Sequence, residues 1–93
     1  MILSFADKTT RRLFQTGRCL RVPPDVARRA ARKLEYVHLA SCLDDLRVPP
    51  SNRLHRLEGD RNGLHAIRVN DQWRICFRFE DGDAYDVLFC DYH

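Results

Sequence analysis

Through the last third of the chain apolar and polar side chains alternate. Trp73, Ile75, Phe77 and Phe79 fall on one side and Arg74, Cys76 and Arg78 on the other, the period-two signature of a half-buried β-strand. His65, Ile67 and Val69 precede this run and Tyr85, Val87 and Phe89 follow it. For the three sets to share one sheet face, residue 69 must pair with 73 and residue 79 with 85, which makes residues 70–72 and 80–84 odd-length connections. That register sets Arg68 opposite Arg74, and Arg78 opposite Asp86, on the face turned away from the rest of the domain. Like charges directly opposite each other are destabilising. Either an anion sits between Arg68 and Arg74, and phosphate matches the guanidinium fork, or the two side chains fan into water.

Upstream the period changes. Residues 2–5 form a short apolar start suited to a strand. Asp7 is then an N-cap for a helix running to about Thr16 and stopped by Gly17, with Leu13 and Phe14 as its buried residues. After the Val22-Pro23-Pro24 break, Pro24 and Asp25 open a second helix that reaches about Leu39. Val26, Ala30, Leu34 and Val37 give it an apolar stripe, flanked by Ala27 and Ala31. Arg28, Arg29, Arg32 and Lys33 make up its polar face, read as solvated charge or as a nucleic-acid or protein contact. Residues 41–46 extend the helical hairpin, residues 49–52 are a loop, and a short amphipathic stretch at 53–57 leads into a second loop at 58–63.

Composition narrows the class. Ninety-three residues suffice for one modest core, so a single domain over 1–93 is expected. With 44% hydrophobic and 31% charged residues the chain falls among soluble globular proteins. No apolar run approaches the roughly 20 residues of a membrane helix. The opening octet lacks the basic start and long apolar stretch of a signal peptide, so a cytoplasmic location with no membrane association is expected. The four cysteines (19, 42, 76, 90) show no CxxC spacing and the four histidines are scattered. Free thiols, no metal and no cofactor follow.

The formal charge of +3 hides a split: residues 1–63 carry 13 Lys or Arg against 7 Asp or Glu, and residues 64–93 carry 3 against 6. A basic surface beside an acidic one fits a polyanionic partner, though ordinary solvated charge has the same pattern.

The candidate chemistry gathers at Asp91-Tyr92-His93, an acid, an aromatic and an imidazole placed just after a strand that can hold them against the domain. Metal-free RNA cleavage needs a base for the 2′-hydroxyl proton, cations for the phosphorane and an acid for the departing 5′-oxygen. His55 and His93 can act as acid or base near neutrality, Asp91 can orient or charge-stabilise a histidine, and Tyr92 can stack on a splayed base or bond a phosphate. Arg68 and Arg74, with Arg56 and Arg61, are the candidates for holding phosphate. A non-catalytic nucleic-acid-binding module and a protein inhibitor of another enzyme remain open alternatives, and both leave the histidines without a task.

Several of these runs together resemble a known family. Leu57-Glu58-Gly59-Asp60-Arg61-Asn62-Gly63, then Ile67-Arg68-Val69-Asn70-Asp71-Gln72-Trp73-Arg74-Ile75-Cys76-Phe77-Arg78, and the closing Asp91-Tyr92-His93 are similar to the HigB toxins of bacterial type II toxin–antitoxin systems, within the RelE/ParE superfamily. The likeness extends to residues 2–5, the Pro23-Pro24 break and the Leu46-Arg47-Val48-Pro49-Pro50 loop, nearly the whole chain. It implies an α+β fold with two N-terminal helices packed on one face of a small antiparallel sheet. It also implies a ribosome-dependent endoribonuclease that cuts mRNA in the decoding site, neutralised by a helix-turn-helix antitoxin of the HigA type, with operator DNA bound only through that antitoxin. The resemblance puts activity on His55, Asp91, Tyr92 and His93, and RNA contacts on Arg68 and Arg74, with Arg56 and Arg61 less directly matched. Where some relatives carry lysine after the loop histidine, this chain has Arg56, Leu57 and Glu58, so no phosphate-binding lysine is assigned there. The ParE branch inhibits DNA gyrase on a similar fold and stands as the alternative.

Overall fold

A computed structural model describes residues 1–58 and 63–91. The first helix, α1 (Lys8–Thr16), is closed at both ends by local chemistry. The Asp7 carboxylate accepts from the Thr10 amide at 2.8 Å, and Gly17, at φ 74°, donates its N–H to the Leu13 carbonyl at 2.8 Å. The second helix, α2 (Pro24–Leu39), opens on proline and buries Ala27, Ala30, Lys33, Leu34 and Val37. Lys33 was expected on the polar face and lies instead on the buried stripe. It sits three residues after Ala30 and four before Val37, the spacing of one helix face. Two short 3-10 turns follow, Leu43–Arg47 and Pro50–Asn52, so the helical continuation expected at residues 41–46 is a separate 3-10 turn over Leu43–Arg47.

The sheet is an antiparallel meander of β1 (His55–Arg56), β2 (Leu64–Arg68), β3 (Trp73–Glu80) and β4 (Asp83–Asp91), in that spatial order. The stretch read as merely amphipathic at 53–57 thus contains the edge strand. Residues 2–5 form parallel bridges rather than a full strand: Ile2 pairs with Ala84 and Phe5 with Val87, along the free side of β4. With the two helices on one face of this sheet, the architecture is the expected α+β arrangement.

The β2–β3 register is the expected one. Ile67 faces Ile75, Arg68 faces Arg74, and Val69 donates to the Trp73 carbonyl at 3.0 Å. Asn70 shapes the connection, its side-chain oxygen accepting from the Gln72 and Trp73 amides.

The β3–β4 register departs from expectation. Asp81 and Gly82 both have positive φ, which makes a tight two-residue turn, so Phe79 pairs with Ala84 and Arg78 with Tyr85. A bulge then opens opposite Phe77, between the Cys76 and Arg78 pairings. Asp86 adopts φ 54° there, and the original phase returns at Cys76–Leu88. The extra residue moves Ala84 to the core face and turns Tyr85 outward under the Arg78 guanidinium, 4.6 Å away. Arg78 still reaches Asp86, at 3.6 Å, and Glu80, at 2.8 Å, although neither lies directly opposite it.

The core lies between helices and sheet: Leu13, Leu34, Val37, Leu46, Ile67, Ile75, Phe77, Val87 and Phe89 are buried there. Trp73 closes one end, stacked on Phe89 at 4.5 Å with Arg21 over its ring. The opposite sheet face carries a small apolar patch of Leu57, Ala66 and Cys76. No helix among the described residues is long and apolar enough to cross a membrane.

Candidate functional site

Strand pairing sets the site on the sheet face away from the helices. His55 pairs with Ala66, Ala66 with Cys76, and Cys76 with Leu88, forming one row of side chains across that face. The next row runs Arg68, Arg74, Cys90. With strands about 4.8 Å apart and alternate residues about 6.7 Å apart along a strand, the backbone of His55 lies roughly 8 Å from that of Arg68 and roughly 12 Å from that of Arg74. The Cys76 and Cys90 sulfurs, one from each row, meet at 3.1 Å.

His55 is half-buried and follows Arg53, which has positive φ. Its Nδ1 lies 3.0 Å from the Arg53 carbonyl oxygen. A carbonyl only accepts, so this contact puts the proton of the neutral ring on Nδ1 and makes Nε2 its basic nitrogen.

The opposed arginines are handled by local acceptors. Arg68 donates to the Asp71 carboxylate, and Arg74 donates to the Asn70 and Trp73 carbonyls. The hydrogen bond from Arg68, then the charges of Arg68, Arg74 and Arg53, hold the Asp71 carboxyl below the ordinary aspartate range. Asp71 is almost fully exposed and pairs directly with Arg68 alone, so it is a resident anion at the solvent side of that guanidinium. The sequence reading missed it, although the i,i+3 spacing from Arg68 was there to be used.

Asp91 ends β4 opposite Trp73 and accepts from the Gln72 side chain at 3.1 Å. It therefore sits at the same end of the sheet as Arg68 and Arg74, tied to their hairpin, though by alternation it does not share their face. Arg56 pairs with His65 and lies on the opposite face of β1 from His55. There it contributes, after burial, to lowering the His65 pKa, with His55 adding a smaller push. The buried Nδ1 of His65 has no hydrogen-bond partner among the described residues. The expected Arg61, Tyr92 and His93 fall outside the described residues. The structure thus gathers His55, Arg68 and Arg74 on one face, with Asp91 beside them and Arg56 turned away.

A four-stranded meander under two helices, with a histidine and two arginines on its open face, defines a small two-layer α+β fold with a cationic sheet face. The match to known proteins specifies the class. Residues 3–93 fit the family described as RelE-like toxin of type II toxin–antitoxin system HigB. The chain is 38% identical to Toxin HigB-1 of Vibrio cholerae over 94% of its own length and 93% of the relative's. It is equally similar, 38% over the whole of both chains, to a Proteus vulgaris protein named Endoribonuclease HigB. Crystal structures of E. coli YafQ superpose with TM-scores of 0.59 and 0.58, covering 98% of this chain and 91% of theirs, at 16% and 13% identity. The chain belongs to the HigB-like toxins of type II toxin–antitoxin systems, and an antitoxin is its cognate partner.

Proposed function

We propose that this toxin is an endoribonuclease that cuts mRNA on the ribosome, without a metal ion, by activating the RNA's own 2′-hydroxyl. The observation that carries this reading is the end-to-end similarity to the relative named Endoribonuclease HigB. The placement of His55 beside two arginines on an open sheet face supports it.

In this reading Arg68 and Arg74 hold the scissile phosphate, and Arg61 holds a flanking one. A histidine takes the 2′-hydroxyl proton, and the basic Nε2 of His55 suits that step. The 2′-oxygen attacks phosphorus, and the guanidinium groups balance the charge gathering on the non-bridging oxygens. The bond to the 5′-oxygen breaks, leaving a 2′,3′-cyclic phosphate, as the second histidine, His93, returns a proton to the leaving oxygen. Asp91 orients or charge-stabilises the terminal imidazole, and Tyr92 stacks on a base or bonds the phosphate. The partner antitoxin is of the helix-turn-helix, HigA-like type. Operator DNA is bound through it, and the toxin acts in the cytoplasm.

Primer extension on a defined mRNA, with and without programmed ribosomes, tests this. Wild type should cut only on ribosomes, and His93→Ala or His55→Ala should slow cleavage by about 10²–10⁴-fold, the usual worth of a general acid or base. Growth arrest without any cuts would point to the gyrase-inhibiting branch, and undiminished cuts from both variants would remove the histidines from the mechanism.

A further inference from the structure

Between α2, the Pro50–Asn52 turn and the end of β2 lies a cleft of about 390 Å³, lined by Arg29, Arg32, Lys33, Tyr36, Ser51 and Arg68, with Pro49 and Val69. The lining holds four cations and no carboxylate. Arg29, Arg32 and Lys33 enter none of the ion pairs among the described residues, and Arg68 has only the exposed Asp71. A larger hollow beside α1 is also basic, but Lys8, Arg12, Arg18 and Arg21 there are all exposed and can retreat into water.

Lys33 cannot retreat. It is 6% exposed, its ammonium donates to the Asn52 side-chain oxygen, and the Tyr36 ring lies 5.6 Å away. Asn52, fully buried, is fixed in turn by donating to the Leu46 and Val48 carbonyls. A lysine would ordinarily extend its stem and place its charge in solvent. Here burial first, and then Arg29, Arg68 and Arg32, push its pKa down. The fold thus holds Lys33 in place beside the half-buried Arg68, with the exposed Arg29 and Arg32 at the rim, and an arriving anion would relieve the repulsion that remains around the held ammonium.

We propose that this cleft is a second phosphate-binding site, taking an RNA-backbone phosphodiester while a neighbouring stretch of RNA lies on the Arg68 and Arg74 end of the sheet. The inference rests on the nuclease reading for its ligand, and Arg68 links the two places because it belongs to both. RNA fits better than an acidic peptide. An amphipathic helix needs a groove of apolar anchor points, and the cleft offers one half-buried aromatic ring among charges.

The test uses Arg29→Ala/Arg32→Ala, which changes two exposed side chains, with thermal unfolding to confirm an intact fold. The probe is ribosomes programmed with a 2′-O-methyl mRNA that cannot be cut, titrated over a series of salt concentrations. The double variant should bind more weakly on every mRNA sequence, with the slope of log affinity against log salt reduced by about 1 or more. Cleavage of unmodified mRNA at saturating toxin should keep its wild-type rate. An unchanged slope and affinity would overturn the proposal, and so would weakened binding to the antitoxin alone, which would make the cleft an acidic-peptide site. Wild type that binds programmed ribosomes yet cuts nothing would overturn the nuclease reading, and the salt slope would still decide the fate of the cleft.

Discussion

The contact between Lys33 and Asn52 makes a sharp stability prediction. Asn52→Leu keeps the branched four-atom skeleton of the side chain at a larger volume and removes every polar atom, so no cavity is left to confound the loss. Three hydrogen bonds disappear: one from the Lys33 ammonium and two to the Leu46 and Val48 carbonyls. Removing one partner from a buried charge costs about 3–5 kcal/mol. Lys33 retains slight exposure, so we expect the lower end, about 3 kcal/mol, or roughly 12–24 °C in Tm for a domain of this size. Adding Lys33→Met should recover about 2 kcal/mol, because the stranded charge goes and only two carbonyls remain short of a donor. The pH dependence has a definite sign. A lysine whose folded pKa is depressed binds fewer protons folded than unfolded, so stability rises with pH towards the unfolded value of 10.5. Losing its acceptor depresses Lys33 further, so the deficit of Asn52→Leu should shrink between pH 7 and pH 9. Urea unfolding of the two single variants and the double variant at both pH values measures all of this. A loss below about 1 kcal/mol, or no recovery on adding Lys33→Met, would refute the account of Lys33 as a held, buried cation.

Trp73→Ala should cost about 3–5 kcal/mol as a large core deletion, since the ring is buried and stacked on Phe89 at 4.5 Å; a change under 1 kcal/mol by urea unfolding would contradict that packing. For His65, burial lowers the pKa, so the unfolded chain takes up protons first and stability falls as pH drops below 6.5. His65→Gln should flatten the loss between pH 7.5 and 5.5, and an identical loss in the variant would show that other groups carry it. Asp71→Asn releases Arg68 from its resident anion. Binding to uncleavable RNA should tighten at low salt and the salt slope steepen by up to about 0.7, and an unaltered slope would mean that phosphate and Asp71 do not compete.

What the sequence made legible, and what it hid, divides along the range of the interactions involved. The first helix began and ended where Asp7 and Gly17 put it and the second began at Pro24, because capping is decided within four residues. The β2–β3 register was also readable, since Asn70 builds that turn from its own side chain. The β3–β4 register was not, although Asp81-Gly82 is a strong signal for a two-residue turn and would have given the Phe79–Ala84 pair. The bulge that follows needs Asp86 at positive φ, and aspartate, unlike glycine, does not advertise that conformation. Lys33 was misplaced because its charge outweighed its position on the helix stripe. Yet a cation on a buried face is where the local pattern and the fold disagree, and such disagreements gather at functional sites. The site itself was the least legible part. His55 joins Arg68 and Arg74 only because a two-residue edge strand pairs with β2, and no periodicity can be read from two residues. Imidazole chemistry and the resemblance singled out the histidine, and long-range pairing gave it its neighbours. The same pairing sets Arg68 between the sheet face and the α2 cleft, so Arg68 is the residue through which a change at either place should be felt at the other.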